Sequence, residues 1–381
     1  MNKKILALSR DRGSMQAIAP VVAALAQADG VDVITVATRE SLPVLGQLGL
    51  LASPLDEAGF GEDPQQCMQA LFDACRPDLV LSGSGPARGR PPESPEQFAI
   101  LESRRRGLPS VAVQDFWGMY VERFSRDGAS LAEDLLPDRL CVLDRRALSE
   151  LQAFGVPADR MAVTHNPWLD ALVAQAEVPV PDAARAHPGA IRVVLASQPL
   201  SAMREVRNWP YDQFTLFEQL LAAMPAPAAG GGPSAIDVVP HPSEDLARWH
   251  DRLAAPRRPD VAVELHGGST RELLRTADFL VTSHSTLAYE ALYLGTPCIS
   301  LRPADRPVMR LWIDDAGLST EFRDAQALRD YLLRADPAAE RRRVLALKRE
   351  LGAAGLFFSD GGATARVQRE VERLLSGGTT T

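Results

Sequence analysis

The sequence predicts an α/β protein of two domains, each built on a mostly parallel sheet with helices on its faces. Three observations carry this. The length, 381 residues, exceeds what one hydrophobic core ordinarily serves. The chain opens in a βαβ pattern: an apolar run from Lys4 to Leu8, an apolar-periodic helix from Met15 to Ala26, and a strand from Val31 to Ala37. A second α/β series begins after the stretch Glu177 to Ala190, rich in Pro and Ala and without a clear period, which reads as a linker. The expected domains are residues 1–175 and 191–381, joined by 176–190.

Within the first domain the cycle returns in a helix from Gln65 to Cys75 and in strands at Leu79 to Ser82, Ser110 to Val113 and Arg139 to Leu143. In the second, strands are expected at Ile191 to Ala196, Ile236 to Val239, Val261 to Leu265, Phe279 to Thr282 and Cys298 to Leu301. Helices fill the intervals, among them Thr270 to Thr276 and Leu287 to Leu294. The run from Met224 to Ser234, MPAPAAGGGPS, reads as a flexible excursion inside the second domain.

Composition narrows the function. Hydrophobic residues make up 46% and charged residues 24%, normal for a folded soluble chain. The net charge of −8 supplies no global field for nucleic acid, so no nucleic-acid partner is expected. The four cysteines form no C-x-x-C pair and have no His partner at zinc-ligand spacing. Cys141 and Cys298 fall in apolar strands and read as core residues, which fits a reduced, cytoplasmic protein. The N-terminal apolar run is far too short for a signal peptide, and no stretch approaches the ~18 apolar residues of a membrane span. If the protein acts on lipid-linked material, it does so from the membrane surface.

In open parallel sheets ligands bind beyond the carboxyl ends of the strands, so the loops there carry the chemistry. The segment from Val281, VTSHSTLAYEALYLGTPCISL, ends a strand at Thr282 and then offers Ser283, Ser285 and Thr286 at a helix start. Free N–H groups and the positive dipole end suit a phosphate there. Glu290, one turn on, is placed to accept both hydroxyls of a ribose. Capping by Ser285 or Thr286, with Glu290 merely favouring the first turn, is the alternative.

His241, in VVPHPSED, stands at a strand end, where an imidazole can donate to a phosphate as charge builds on a leaving group. The alternative is a histidine that satisfies a nearby carbonyl. Asp115 follows an apolar strand in VAVQDFWGMYVERF, with Phe116 and Trp117 beside it. Desolvation by those rings would raise its pKa into the range of a general base; the alternative is a turn-capping Asp with Trp117 in the core. In the first loop Arg10, Arg12 and Gly13 are candidates for contact with a ligand's phosphates, or else a solvated loop. The glycine-rich SGSGPARGR from Ser82 lacks the spacing and ending of a P-loop and reads as a flexible acceptor-side loop.

Three segments resemble a known group. DFLVTSHSTLAYEALYLGTP, from Asp278 to Pro297, is similar to the donor-site segment of GT-B glycosyltransferases and of the UDP-N-acetylglucosamine 2-epimerase superfamily. SRDRGSMQAIAPVVAAL resembles the epimerases' first loop and helix. VTHNPWLDAL, from Val163, resembles their Gly-Asn-Pro-x-x-Asp segment, with His165 in place of the Gly. The resemblance implies a GT-B architecture, two Rossmann-like domains with a ligand cleft between them: an acceptor-side domain first, a nucleotide-donor domain second. A His before a Pro, like His241, is similarly placed in many GT-B enzymes. The epimerases' strand ends in a catalytic Glu where this chain has Asp115.

The resemblance to hydrolysing epimerases fails at their acid–base residues. Their His-Gly-Asp becomes Ser82-Gly83-Ser84, and Ser197 and Gln198 stand where a His would lie. Transfer needs fewer proton-handling groups: one base, and stabilisation of the departing nucleotide. The resulting expectation is a metal-independent, inverting glycosyltransferase using a nucleotide sugar as substrate and an unknown acceptor, with no cofactor. Asp115 and His241 are catalytic; Arg12, Gly13, His241, Ser283, Ser285, Thr286 and Glu290 bind the donor. No metal is expected, since no Asp-x-Asp stands at a strand end. A nucleotide-sugar 2-epimerase or hydrolase, or a catalytically silent nucleotide-sugar-binding subunit, are the alternatives.

Overall fold

The computed structural model describes residues 2–85, 94–176, 190–226, 232–254, 258–267, 269–304 and 308–377. The chain divides into two compact units, Met1–Val173 with Leu351–Thr381, and Ala174–Glu350. The linker expected at 176–190 lies outside the described residues except for its two ends, as does most of the acceptor-side loop that begins at Ser82.

The first unit holds a sheet of seven strands: β1 (Lys3–Ser9), β2 (Val31–Ala37), β3 (Ser53–Pro54), β4 (Leu79–Gly83), β5 (Ser110–Val113), β6 (Arg139–Val142) and β7 (Met161–Val163). Their spatial order is β3-β2-β1-β4-β5-β6-β7. The second unit holds six: β8 (Arg192–Ala196), β9 (Ser234–Val239), β10 (Val261–Leu265), β11 (Phe279–Thr282), β12 (Cys298–Leu301) and β13 (Ser319–Phe322), in the order β10-β9-β8-β11-β12-β13. Every pairing is parallel, with registers such as Ile5↔Leu79 and Val281↔Leu195. Strands covered on both faces must be largely apolar, which is why β4, β5, β11, β12 and β1 from Ile5 onward read as largely apolar runs and are buried. Cys141 and Cys298 lie in this interior, where burial pushes the Cys141 thiol up to about 12 and raises Cys298 as well.

One boundary differs from expectation. Residues from Leu351 onward, assigned by sequence to the second domain, pack in the first unit. The amphipathic helix Ala363–Leu375 buries Val367 and Val371 against Ile18 and Val22 of the helix Arg12–Leu25. Its entry is fixed by Asp170, whose two carboxylate oxygens accept from the N–H groups of Ala363 (3.1 Å) and Thr364 (2.7 Å). A buried carboxylate, Asp144, holds the approach to this helix by accepting from Phe357 N at 2.9 Å. Contacts between positions 193 residues apart leave no trace in local periodicity.

Candidate functional site

Both sheets have the doubly wound order in which the first and fourth strands are neighbours and the chain departs in opposite directions from them. Ligands of such sheets sit at that switch point, beyond the carboxyl ends. In the second unit the switch point lies between the loops after β8 and β11, and the candidate residues on those loops are joined by hydrogen bonds. Thr282 donates to the Ala196 carbonyl at 2.9 Å, tying the end of β11 to the end of β8. The same hydroxyl accepts from Ser285 N at 3.1 Å. Ser283 is buried, its hydroxyl 2.6 Å from that of Tyr211 and 3.2 Å from His284 Nδ1. The His284 ring in turn stacks on Trp209, 4.9 Å between centroids.

The helix that follows, Leu287–Tyr293, is short, and much of its entrance is satisfied internally. Ser285 Oγ accepts from Leu287 N (3.3 Å), and the Ser285 and Thr286 carbonyls accept from Ala288 N (3.1 Å) and Tyr289 N (3.0 Å). The expectation of several free amides for a phosphate is corrected accordingly: Thr286 is exposed at the tip of this turn, while Ser283 and Ser285 are buried beneath it with internal partners. Glu290 lies one turn inside as expected, and Arg271 from the helix Thr270–Thr276 stands 3.6 Å from its carboxylate. Gly295 ends this segment at φ 78, with Thr296 N reaching back to the Ala291 carbonyl at 2.8 Å. A β-carbon there would also meet Leu345 Cδ2 at 3.0 Å, which explains the Gly of the Gly-x-Pro motif.

His241 stands beyond β9, on the other side of β8. Its link to the switch point is Glu244, which sequence reasoning did not single out. That carboxylate accepts from His241 N (2.7 Å), from the Ser197 hydroxyl (2.9 Å) and from Trp249 Nε1 (3.2 Å). Burial pushes the Glu244 carboxyl above the usual range, with the three hydrogen bonds opposing.

In the first unit the switch point lies between β1 and β4. Gly83 ends β4 where a β-carbon would fall 2.6 Å from Ser14 Cβ and 2.8 Å from Ser9 Oγ, so only glycine allows the approach. Asp115 leaves β5 beside the first turn of the helix Arg12–Leu25. Its Oδ2 accepts from Ser14 Oγ at 3.2 Å and would stand 3.3 Å from a β-carbon on Gly13. Arg12 opens that helix, half-buried. The strand-end position of Asp115 is as expected, but its surroundings are not aromatic. Trp117 turns away to donate to Asp144 at 2.7 Å and to pack on Phe357. Phe116 lies 4.6 Å from the Arg123 guanidinium, and that guanidinium makes a 2.5 Å ion pair with Asp115 Oδ1. Arg123 is buried and also donates to the Ser84 carbonyl at 2.6 Å and hydroxyl at 3.0 Å.

Two further residues of this edge were missed. Glu96, at the start of the helix Pro95–Arg106, is buried and accepts from Ser9 Oγ (2.9 Å), Arg10 N (2.7 Å) and Ser94 Oγ. Asn166 donates to the Asp115 carbonyl at 2.8 Å, and its neighbour His165 adopts φ 64, the left-handed region that explains a Gly in the resembling segment. Among the described residues no group of three or more His, Cys, Asp or Glu side chains is placed to hold a metal ion, and no helix is long and apolar enough to cross a membrane. Two surface cavities, of about 690 and 530 Å³, contain none of the candidate residues.

No protein-family model and no curated protein matches the sequence. Solved structures do match along the whole length. Staphylococcus aureus MnaA, in a co-structure with UDP, superposes with a TM-score of 0.68 at 16% identity, over 100% of this chain and 98% of that one. The UDP-GlcNAc 2-epimerase of Neisseria meningitidis, bound to UDP-GlcNAc, gives 0.61 at 15% identity, over 98% and 100%. The calicheamicin glycosyltransferase CalG4 gives 0.62 at 15% identity, over 99% of each chain. The fold is GT-B. Its two α/β units, with seven and six parallel strands, are those of the nucleotide-sugar epimerases and glycosyltransferases it superposes on. At these identities the GT-B likeness fixes architecture and leaves the reaction to the site.

Proposed function

We propose that this chain binds a nucleotide-activated sugar through its second unit and transfers the sugar to an acceptor with inversion, without a metal. The observation that carries the reading is the second switch point. There the exposed Thr286 shares one turn with the buried Ser283 and Ser285, Glu290 follows a helical turn later, and the His241 turn is tied to the same β8 end through Glu244 and Ser197. Hydroxyls and an imidazole suit the oxygens of a diphosphate, and Glu290 suits the ribose hydroxyls. Neighbours of the same fold whose structures carry UDP or UDP-GlcNAc support this ligand class.

In this reading His241 stabilises charge on the departing phosphate. Arg12 and Gly13 in the first unit contribute to the donor, and Asp115 takes the acceptor proton. A carboxylate oriented by Arg123 and Ser14 is a fixed acceptor for one proton. Two positions favour transfer over epimerisation. Ser84 is engaged by Arg123, and Ser197 by Glu244, so neither replaces the acid–base groups that a hydrolysing epimerase would use. The second reading, a 2-epimerase or hydrolase, is supported by the epimerases among the matched structures.

A thermal-shift screen against UDP, CDP, CMP, GDP, ADP and dTDP tests the ligand class. The matching nucleotide at ~100 times its dissociation constant adds about 2.7 kcal/mol of stability. No shift with any of them rejects the reading. Incubating the matching sugar nucleotide without acceptor then separates the two reactions: rapid turnover or isomerisation means epimerase or hydrolase, and a requirement for acceptor means transferase. Activity should persist in excess chelator; loss restored by a divalent ion removes the metal-independent mechanism.

A further inference from the structure

We propose that Glu244 is the positioning residue for His241, locking its turn to the β8 loop and its imidazole in a single hydrogen-bonding state. The inference builds on the nucleotide-binding role of His241 given above.

The local geometry is closed on itself. His241 N donates to Glu244 Oε2 at 2.7 Å, and Glu244 N returns to the His241 carbonyl at 2.9 Å, so His-Pro-Ser-Glu forms one tight turn. Inside it Ser243 N points at His241 Nδ1 (3.2 Å), with the Ser243 hydroxyl 2.8 Å from the same nitrogen. A backbone N–H can only donate, so in the neutral ring Nδ1 is the acceptor and Nε2 carries the proton. Nε2–H is the state a phosphate oxygen requires. The turn alone would leave this imidazole on an exposed excursion beyond β9, where Pro242, Ser243 and Asp245 are solvent-facing. The other carboxylate oxygen anchors it: Oε1 accepts from Ser197 on the β8 loop and from Trp249, which is fully buried in the core of the second unit.

One side chain therefore connects a rigid indole, the loop at the switch point and the backbone of His241, whose ring is held by Ser243 within the same turn. Half-burying a carboxylate among neutral donors works against its ionisation and displaces its pKa upward. The spacing from His241 to Glu244 was open to sequence reading; the contact with Ser197, 47 positions away, was not.

The test has two arms. Nitrogen NMR of the imidazoles, with the His241 signal assigned by its loss in His241→Asn, reads the ring directly and needs no ligand. The full-length protein should show His241 with an unprotonated Nδ1 and a protonated Nε2. Glu244→Ala should average that signal toward the exposed-histidine pattern, and Glu244→Gln, which retains a carbonyl acceptor for His241 N, should largely preserve it. An unchanged signal in Glu244→Ala overturns the proposal. If that variant fails to fold, Ser197→Ala combined with Trp249→Phe removes the anchor while keeping the turn, and an unchanged signal there overturns it equally.

The second arm is a double-variant cycle on affinity for the nucleotide found in the screen. Glu244→Ala and His241→Ala should each weaken binding about tenfold, and together no more than His241→Ala alone, because one acts through the other. Additive losses overturn the proposal. An unaltered affinity in His241→Ala removes the imidazole from the nucleotide site, a failure of the functional reading that the ligand-free NMR arm tells apart from a failure of Glu244 to position the ring.

Discussion

The two sheets share a strand order, yet the edges where that order reverses are furnished in opposite ways. In the first unit the chain supplies its own anion. Asp115 stands beside the first turn of the helix Arg12–Leu25, against a guanidinium from Arg123 that is itself buried. In the second unit the turn after β11 holds Ser283, Ser285 and the exposed Thr286, and the half-buried carboxylate by the end of β8, Glu244, is held by neutral N–H and O–H donors. The comparison supports the proposed nucleotide site in the second unit, while the first unit holds a fixed carboxylate.

The largest expected effect follows from breaking the charge pair. Arg123→Met removes one partner of a buried ion pair and should cost roughly 3–5 kcal/mol in denaturant unfolding. Asp115→Asn should cost a similar amount, and the double variant should recover much of the loss. Additive losses would mean that the pair is not the unit holding this edge. In the refolded double variant, turnover should stay abolished while the nucleotide thermal shift survives, if Asp115 is the base.

Next comes Gly83→Ala, which pushes a methyl into Ser14 and Ser9. About 1–3 kcal/mol of destabilisation is expected, visible in thermal unfolding. The equivalent strand end in the second unit is Thr282, whose side chain is accommodated and makes two hydrogen bonds. Ser283→Ala removes the partner of the buried Tyr211 hydroxyl and should cost about 1 kcal/mol, with a further loss of nucleotide affinity by calorimetry. An unchanged affinity would shift the phosphate site away from this turn.

The smallest effect concerns His165. Replacing it by Gly relieves a left-handed backbone, offset by the entropy that Gly adds to the unfolded chain, and should raise stability by up to about 1 kcal/mol. Burial, and then the charge of Arg366, depress the His165 pKa below the ordinary 6.5. The folded state thus favours the neutral ring. Its contribution is present above pH 6.5 and is lost as pH falls through the depressed value, a slope that His165→Gly should lack.

Strand positions were readable because parallel strands buried on both faces must be apolar, and β2, β5, β10, β11 and β12 match their expected spans residue for residue. Motif segments were readable for a similar reason. A strand end, a hydroxyl turn, a carboxylate one turn later and a glycine stop are local requirements, so Ser283 to Gly295 announce themselves in order. The partners of those residues do not. Asp115 finds Ser14 from 101 positions away and Ser283 finds Tyr211 from 72, and neither interval carries a period that a window can detect. Phe116 and Trp117 beside Asp115 suggested an apolar wall, whereas backbone direction sends one ring onto Arg123 and the other toward Asp144. The sequence by itself determined the two parallel sheets and the loops that end them, because burial and chain reversal are local demands. Tertiary structure alone decided which charge stands behind each carboxylate and where the last helix packs, because those depend on free energies shared between distant parts of the chain.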